Sequence, residues 1–312
     1  MRVVFWGSPE FAVAVLSAVL ASDHEVVGIV TQPPRPSGRG RRERPTPVAR
    51  LAGSAGIEVL APQRPRGPEF LRALEAFGAD VFLVAAYGAI LPAELLSLPP
   101  RGALNVHASL LPAYRGAAPV TRAILDGRRD TGITIMRMDE GLDTGPVCLQ
   151  EAMPIRSEDT AGSLTARLAG AGARLAIEAL DRLAIGTLVE TAQDDASATY
   201  AAKVTSDEAA IDWGRPAAEI ERAVRAFDPW PGAWTTCRGE RLKVVRAGVV
   251  PAGGGNPDEP GTVAAVEPAP VVAAGRDALR LDLVQPAGGR RMSGADWARG
   301  RRVERGERLG AE

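Results

Sequence analysis

The first half of the chain alternates apolar, strand-like runs with segments of helical spacing, and this order constrains the fold more than any other feature. The apolar runs have the length and composition of buried strands, and they lie at 3–6, 25–31, 57–60, 80–86 and 103–106. The segments between them place apolar residues on one helical face, and they lie at 10–20, 48–55, 69–77 and 117–125. This β-α-β-α order predicts a parallel sheet covered by helices on both faces. Two candidate antiparallel strands, at 131–138 and 147–155, and a long helix at 160–183 complete the expected domain.

The character of the sequence changes after Gly186, where a polar stretch with few large apolar residues begins. Beyond it, one helical segment at 217–227 precedes several short apolar runs broken by Gly and Pro, at 234–237, 242–250, 261–266, 271–274 and 279–284. Short strands with frequent turns are typical of a small β-barrel. We therefore expect an α/β domain over residues 1–188, a linker over 189–206 and a β-barrel domain over 207–312.

Composition excludes few classes of protein, but it narrows the kinds of partner and the cellular compartment that the chain suits. The chain has 312 residues, of which 46% are apolar, and its net charge is −1, so any nucleic-acid or membrane partner must be inferred from local charge clusters. Cys148 and Cys237 fit no metal-binding spacing, and a reducing compartment is a simpler inference than a disulfide. The N-terminus begins with a strand rather than a secretory signal, and no apolar run reaches the roughly eighteen residues of a membrane span. These features predict a cytoplasmic protein.

Two glycine-containing segments imitate nucleotide-binding motifs. Gly7-Ser-Pro-Glu-Phe follows the first strand, where a dinucleotide fingerprint would lie, but it lacks the second and third glycines. Gly38-Arg-Gly-Arg-Arg lacks the Lys-Ser/Thr pair of a phosphate-binding loop. The sequence therefore disfavours both a nicotinamide site and a P-loop.

One of the two histidines of the chain, His107, follows a strand-like run that also contains Asn105. Residues two apart in a strand point to the same face, so an amide and an imidazole would lie side by side at a strand end. Open α/β sheets place their chemistry at such ends. The amide can donate a hydrogen bond to a carbonyl oxygen, and the imidazole beside it can accept or release a proton. Acyl transfer requires both functions. The alternative is a histidine that only satisfies hydrogen bonds at the strand end.

Asp143 lies between two glycines, in Gly141-Leu-Asp-Thr-Gly. Glycines on both sides suit a tight loop that approaches a ligand or turns sharply. A carboxylate beside His107 would favour the protonated imidazole and fix its orientation. The alternative is an aspartate that only forms a turn.

Two further segments are candidates for a ligand pocket. Ser109, Leu110, Leu111 and Pro112 place leucines in a connection, where they could form an apolar wall or a plug onto the core. The pair Tyr87-Gly88 ends a buried strand, where a glycine lets a flat ligand approach the backbone or simply forms a turn.

A loop rich in Gly and Pro carries a cluster of positive charge. Its arginines are Arg35, Arg39, Arg41, Arg42 and Arg44, and its one acidic residue is Glu43. Such clusters bind phosphate backbones and release counterions. A solvated surface run is an equally simple interpretation.

These segments resemble the folate-dependent formyltransferases, and within them the family that acts on methionyl-tRNA. The resemblance spans nearly the whole chain. The matching motifs are Gly7-Ser-Pro-Glu-Phe-Ala, Thr31-Gln-Pro, Val84-Ala-Ala-Tyr-Gly, Asn105-Val-His, Ser109-Leu-Leu-Pro, Tyr114-Arg-Gly-Ala-Ala-Pro, Gly132-Ile-Thr-Ile-Met, Gly141-Leu-Asp-Thr-Gly, Ile211-Asp-Trp and Phe227-Asp-Pro-Trp-Pro. The resemblance implies a Rossmann-like formyltransferase domain followed by an oligonucleotide-binding (OB)-like barrel.

The resemblance also implies a reaction, in which a formyl group passes from 10-formyltetrahydrofolate to the α-amine of methionyl-initiator tRNA, with no metal and no obligate protein partner. Asn105 would hold the formyl oxygen, protonated His107 would stabilise the oxyanion, and Asp143 would keep His107 charged. The folate would lie along Ser109, Leu110, Leu111 and Pro112, near Tyr87 and Gly88. The tRNA acceptor stem would meet the arginine loop, through Arg35, Arg39, Arg41 and Arg42.

The nearest alternatives are formyltransferases that act on glycinamide ribonucleotide or on an amino sugar. An alternative from another class is a non-catalytic RNA-binding protein on the same scaffold. The arginine-rich loop and Phe227-Asp-Pro-Trp-Pro favour tRNA as the acceptor, and the intact set Asn105, His107 and Asp143 favours an enzyme.

Overall fold

The structure, a computed structural model, describes residues 1–37, 42–252 and 258–310. The chain divides into two compact units. The first comprises Met1–Pro119, Asp130–Pro154 and Thr165–Ala202, and the second comprises Val120–Arg129, Ile155–Leu164 and Lys203–Glu312. The expected boundaries at 188 and 206 divide the chain by function, and that division stays a prediction.

Strands and helices follow the apolar patterning of the sequence. The strands are β1 (Arg2–Gly7), β2 (Glu25–Val30), β3 (Arg35–Ser37), β4 (Arg42–Arg44), β5 (Val59–Leu60), β6 (Val81–Ala85), β7 (Ala103–His107), β8 (Arg115–Gly116), β9 (Asp130–Arg137), β10 (Val147–Pro154), β11 (Tyr200–Ala201), β12 (Trp234–Cys237), β13 (Glu240–Val250), β14 (Val263–Ala265), β15 (Val271–Ala273), β16 (Ala278–Pro286) and β17 (Met292–Ser293). The helices are α1 (Glu10–Leu20), α2 (Pro47–Ala55), α3 (Pro68–Ala76), α4 (Ala93–Leu96), α5 (Pro119–Leu125), α6 (Ala161–Ala184), α7 (Ala217–Ala226) and α8 (Gly294–Arg301).

The first unit is built on a seven-stranded sheet with the order β10-β9-β7-β6-β1-β2-β5. β5, β2, β1, β6 and β7 run parallel to one another, whereas β9 is antiparallel to both of its neighbours. Trp6 and Phe82 on adjacent strands are almost fully buried and pack against each other, which fixes one face of the sheet onto the core. The α/β architecture and the antiparallel pairing of the later strands are confirmed.

The order of the strands creates a switch point between β1 and β6. From β1 the chain adds β2 and β5 on one side of the sheet, and it then returns to add β6 and β7 on the other side. Loops that leave the carboxyl ends of strands diverge at such a point, and the crevice between them is where open α/β sheets bind ligands. β6 and β7 end side by side, because Ala85 pairs with Val106.

The second unit contains an antiparallel sheet with the order β12-β13-β16-β15-β14, to which β17 adds alongside β16. Residues 306–310 join its two edges. The Val263 N–H donates to the Glu307 carbonyl at 2.8 Å on the β14 side, and the Gly310 N–H donates to the Thr236 carbonyl at 2.9 Å on the β12 side. These bonds close the sheet into a barrel, as the short strands of the sequence predict.

Several local features differ from the sequence-based expectations. The arginine-rich segment, interpreted from its glycines and prolines as a loop, contains a short antiparallel pair of strands, β3 and β4. The polar stretch 189–206, expected to be a linker, contains β11, which pairs in parallel with β8. α8 carries Trp297 into the core of its unit although its apolar spacing is weak. In the part of the chain that the structure describes, no helix is long and apolar enough to cross a membrane.

Candidate active site

Asn105 and His107 lie on one face of β7, close to its carboxyl end, as the two-residue period of a strand requires. β7 is an interior strand between β6 and β9. His107 is 6% exposed and Asn105 is half-buried. The site is therefore rooted in the rigid sheet, and little of the imidazole is in contact with bulk water.

Asp143 reaches this pair from the loop between β9 and β10. Its Oδ2 atom lies 3.6 Å from His107 Nδ1, and its Oδ1 atom accepts a long hydrogen bond of 3.4 Å from Asn105 Nδ2. A stronger bond comes from the main chain, where the Gly116 N–H donates to Oδ2 at 2.8 Å. The structure thus brings together the three residues predicted from the sequence, and three donor groups surround one carboxylate.

The second ring nitrogen of His107 has a partner that the sequence did not indicate. Nε2 lies 2.9 Å from the main-chain carbonyl oxygen of Tyr114. A carbonyl only accepts, so Nε2 must carry a hydrogen in either charge state of the ring. Nδ1 faces the Asp143 carboxylate, which also only accepts when it is ionised. Both neighbours therefore suit an imidazolium with a hydrogen on each nitrogen.

Two residues that contact the histidine have a strained backbone. Tyr114 has a φ of 60° and Asp143 has a φ of 55°, both in the left-handed region. Gly116 has a φ of 116°, and a Cβ atom there would lie 2.8 Å from the Ala201 carbonyl oxygen. Residues in such conformations persist where the surrounding contacts hold them, and they cluster at active sites.

The connection that follows His107 is tightly held. The Thr134 hydroxyl donates to the Ser109 carbonyl at 2.7 Å, and the Leu111 N–H donates to the same hydroxyl at 3.1 Å. The Ser109 side chain is fully buried and donates to the Ala113 carbonyl at 2.6 Å, so its hydroxyl shapes the loop. Gln150 adds a hydrogen bond of 2.7 Å to the Leu111 carbonyl.

The two leucines of this connection differ in their surroundings. Leu111 is 4% exposed and belongs to the core, whereas Leu110 and Pro112 are half-buried. Leu110 packs over Gly132 of β9, where a Cβ atom would lie 2.5 Å from Leu110 Cδ2. An apolar wall at this position would therefore consist of Leu110 and Pro112, with Leu111 fixing them to the core.

Tyr87 and Gly88 follow β6, next to the end of β7. The Tyr87 ring is 2% exposed and packs edge-on against Trp6, with ring centroids 5.1 Å apart. Burial raises the pKa of its hydroxyl to about 12, so it stays protonated at physiological pH. Only the main chain of Tyr87 and the exposed Gly88 could face a ligand.

The predicted tRNA-binding arginines are described only in part. Arg35 begins β3 and Arg42 begins β4, so the two arms of the loop run antiparallel. Arg39 and Arg41 lie outside the described residues. The proposed role of all four arginines stays a prediction from their charge and spacing.

The structure also shows supporting residues that sequence reasoning missed. Gln193 and Thr199, from the polar stretch after α6, hydrogen-bond to the Asp143 loop and to the Tyr114 N–H, respectively. Such residues carry no periodic pattern that could reveal them. Thr134 offered a weak signal, because it is a polar residue inside the apolar strand Ile133-Thr-Ile and is fully buried.

An amide donor, an imidazole and a carboxylate that converge at a strand end can stabilise a negatively charged oxygen and relay a proton. The sequence matches two family models that agree with this chemistry. One is described as formyl transferase and matches residues 1–180, and the other is described as formyl transferase, C-terminal domain, and matches residues 203–302.

Solved structures show the same fold. The N-formyltransferase from Helicobacter canadensis, in complex with folinic acid and dTDP-3-aminofucose, superposes with a TM-score of 0.66 at 17% identity, covering 90% of this chain and 99% of that chain. HypX from Aquifex aeolicus, in complex with tetrahydrofolic acid, superposes with a TM-score of 0.65 at 18% identity, covering 96% of this chain and 47% of that chain.

Sequence relatives are much closer and match over their full length. The methionyl-tRNA formyltransferase of Aromatoleum aromaticum is 50% identical over 312 residues, which cover 100% of this chain and 98% of the relative. The methionyl-tRNA formyltransferase of Thiobacillus denitrificans is 48% identical over 312 residues, which cover 100% of both chains. That of Roseiflexus sp. is 46% identical over 311 residues, which cover 99% of this chain and 95% of the relative. The chain therefore belongs to the methionyl-tRNA formyltransferase family.

Proposed function

We propose that this chain transfers a formyl group from 10-formyltetrahydrofolate to the α-amine of methionine esterified to initiator tRNA. The observation that carries the proposal is the convergence of Asn105, His107 and Asp143 at the end of β7. Full-length relatives at 46–50% identity, which are methionyl-tRNA formyltransferases, support the same acceptor. The product, formylmethionyl-tRNA, would serve translation initiation.

The surroundings of the three residues fit a folate formyl donor. The half-buried Leu110 and Pro112 offer an apolar surface to a flat ring system, and the exposed Gly88, which follows the neighbouring strand β6, leaves backbone groups accessible. When bound, the folate supplies an activated formyl group on a nitrogen that can leave. This chain must then hold the formyl oxygen, stabilise its growing negative charge and manage one proton.

Asn105 and His107 suit the stabilising part of the task. Asn105 Nδ2 has two hydrogens, and its contact with Asp143 is long at 3.4 Å, so a hydrogen remains for the formyl oxygen. A protonated His107 beside it adds a positive charge where oxyanion character develops. A preorganised donor of this kind contributes about 10²–10³-fold to kcat in enzymes of acyl transfer.

Asp143 suits the proton transfer. Its carboxylate is held by the Gly116 N–H and faces Nδ1 of His107, so it is placed to orient the ring and to exchange a proton with it. As the amine of the acceptor attacks, its nitrogen becomes acidic, and the proton must reach the leaving nitrogen. The carboxylate and imidazole together provide a short route for that proton.

The tRNA would be held by local clusters of positive charge, since the net charge of the chain is −1. We assign the acceptor-stem contact to Arg35, Arg39, Arg41 and Arg42. Residues 1–188 would carry the chemistry, and the barrel within 207–312 would contact the tRNA. Phosphate contacts of this kind weaken steeply with salt.

A direct assay tests the proposal. The protein is mixed with 10-formyltetrahydrofolate and, in parallel reactions, with methionyl-initiator tRNA, glycinamide ribonucleotide or an amino-sugar nucleotide. The expected result is formylmethionyl-tRNA and no formylation of the two small acceptors. Formylation of a small acceptor alone would overturn the assignment of the substrate. Binding of tRNA with no formyl transfer at all would identify a non-catalytic RNA-binding protein.

A further inference from the structure

Gln193 lies in the polar stretch after α6, fifty residues from Asp143 in sequence, yet its side chain reaches the loop that carries Asp143. Its Nε2 atom donates to the Asp143 carbonyl at 2.9 Å and to the Gly145 carbonyl at 2.6 Å. The two carbonyls lie on either side of Thr144. One amide group therefore holds the turn at two points.

The orientation of this amide is determined by its partners. Two carbonyl oxygens require the NH₂ group on one side, because carbonyls only accept. On the other side, Arg115 donates to Gln193 Oε1 from Nε at 3.0 Å and from Nη2 at 2.8 Å. A guanidinium only donates, so it requires the oxygen. Of the ordinary side chains of this length, only glutamine combines an NH₂ donor with an oxygen acceptor.

Arg115 is itself fixed. Its side chain is 12% exposed, and it pairs with Asp195 at 2.7 Å. Its neighbours in the chain belong to the active site, because the Tyr114 carbonyl accepts from His107 and the Gly116 N–H donates to Asp143. Gln193 thus links the backbone of the Asp143 turn to the segment that orients the imidazole.

We propose that Gln193 is a positioning residue for formyl transfer, which acts through Asp143 by fixing the carbonyls of Asp143 and Gly145 against the guanidinium of Arg115. This inference rests on the proposed function. Asp143 has a left-handed backbone, with a φ of 55°, and this conformation needs support from outside the turn. Without the two hydrogen bonds, the turn can relax and move the carboxylate away from His107.

Two substitutions test the donor and acceptor functions of the Gln193 amide. Gln193→Glu keeps an acceptor for Arg115 but places an oxygen against the two carbonyls. Gln193→Met keeps the length of the side chain and removes both functions. A displacement of about 1 Å in a catalytic group can lower the rate about 100-fold. We expect kcat to fall about 30- to 100-fold in both variants, with the KM of each substrate within about threefold of wild type.

A double-mutant cycle with Asp143→Asn distinguishes positioning from a general structural role. If Gln193 acts through the carboxylate, Gln193→Met should change kcat less than about twofold in the Asp143→Asn background. If Gln193 only ties residues 189–202 to the first unit, the same factor should be lost in both backgrounds. The matched control is Gln63→Glu, which makes the same chemical change at an exposed position of the first unit, outside the proposed site and the arginine-rich loop. The control should keep the wild-type kcat.

The outcomes are distinct. Wild-type kcat in folded Gln193 variants, additive losses in the cycle, or a change confined to KM would each overturn the inference. Failure of both Gln193 variants to fold would also overturn it, because the side chain would then hold the unit together rather than the turn. If the wild-type protein formylates no acceptor, the proposed function fails before Gln193 is tested.

Discussion

Replacing Asp143 with asparagine separates the charge of this residue from its shape. Asparagine tolerates the left-handed backbone that Asp143 adopts, at a φ of 55°, better than other residues with a Cβ atom. The new amide has two orientations. If its NH₂ group replaces Oδ2, it opposes the Gly116 N–H and breaks a bond of 2.8 Å. If it replaces Oδ1, it opposes only Asn105 Nδ2, across a contact of 3.4 Å.

The second orientation should therefore prevail. It sacrifices one long hydrogen bond, which costs about 1 kcal/mol of unfolding free energy. In a unit of this size, that loss lowers Tm by about 2–4 °C. The chemistry suffers far more, because the negative charge that supports the imidazolium of His107 is gone. Losing a positioned acid–base partner lowers kcat by about 10²–10⁴-fold.

Single-turnover formation of formylmethionyl-tRNA, at saturating folate and tRNA, measures the chemical step, and thermal unfolding measures the stability. Asp143→Ala is the comparison, because it leaves the Gly116 N–H without its acceptor. This loss should lower the free energy of unfolding by about 1–3 kcal/mol. A folded Asp143→Asn protein with wild-type kcat would refute the role of the carboxylate. A fall in Tm of more than about 10 °C would refute the argument that an amide fits the turn.

Three further predictions concern other parts of the chain. His107→Ala should lower kcat by about 100-fold or more, and near-wild-type turnover would remove the imidazole from the mechanism. Arg39→Ala should weaken the reaction with tRNA far more than folate binding, and it should reduce the salt dependence of tRNA affinity. The control Arg64→Ala, at an exposed position outside the loop, should change neither. Equal effects of the two substitutions would contradict a role of the arginine loop in tRNA binding. Burial, with the nearby N-terminal amine, holds the pKa of His24 below 6.5, so the folded state takes up a proton less readily than the unfolded chain. Stability should therefore be lost as the pH falls below about 6.5, and His24→Gln should flatten that part of the Tm profile; an unchanged profile would contradict this reasoning.

The sequence predicts the sheet and the convergence of the three residues because both follow from local rules. Asn105 and His107 share a face through the period of a strand, and glycines beside Asp143 indicate a tight turn. The partner of His107 Nε2 could not be predicted, because it is a main-chain carbonyl whose position depends on the left-handed Tyr114.

The contacts of Gln193 and Thr199 could not be predicted for a different reason. Polar residues in an irregular stretch look alike whether they face solvent or a neighbouring loop, and the contact of Gln193 spans fifty residues of sequence. The interpretation of residues 189–206 as a linker followed from their low apolar content. Their order comes instead from hydrogen bonds to the backbone of distant turns, which composition does not encode.

The closure of the barrel by residues 306–310 has a consequence for self-association of the protein. Detaching this segment would free the Val263 N–H on β14 and the Thr236 carbonyl on β12 from their partners. Open strand edges are templates for pairing with other chains. Any condition that frays residues 306–310 should therefore expose these edges and make the protein prone to self-association.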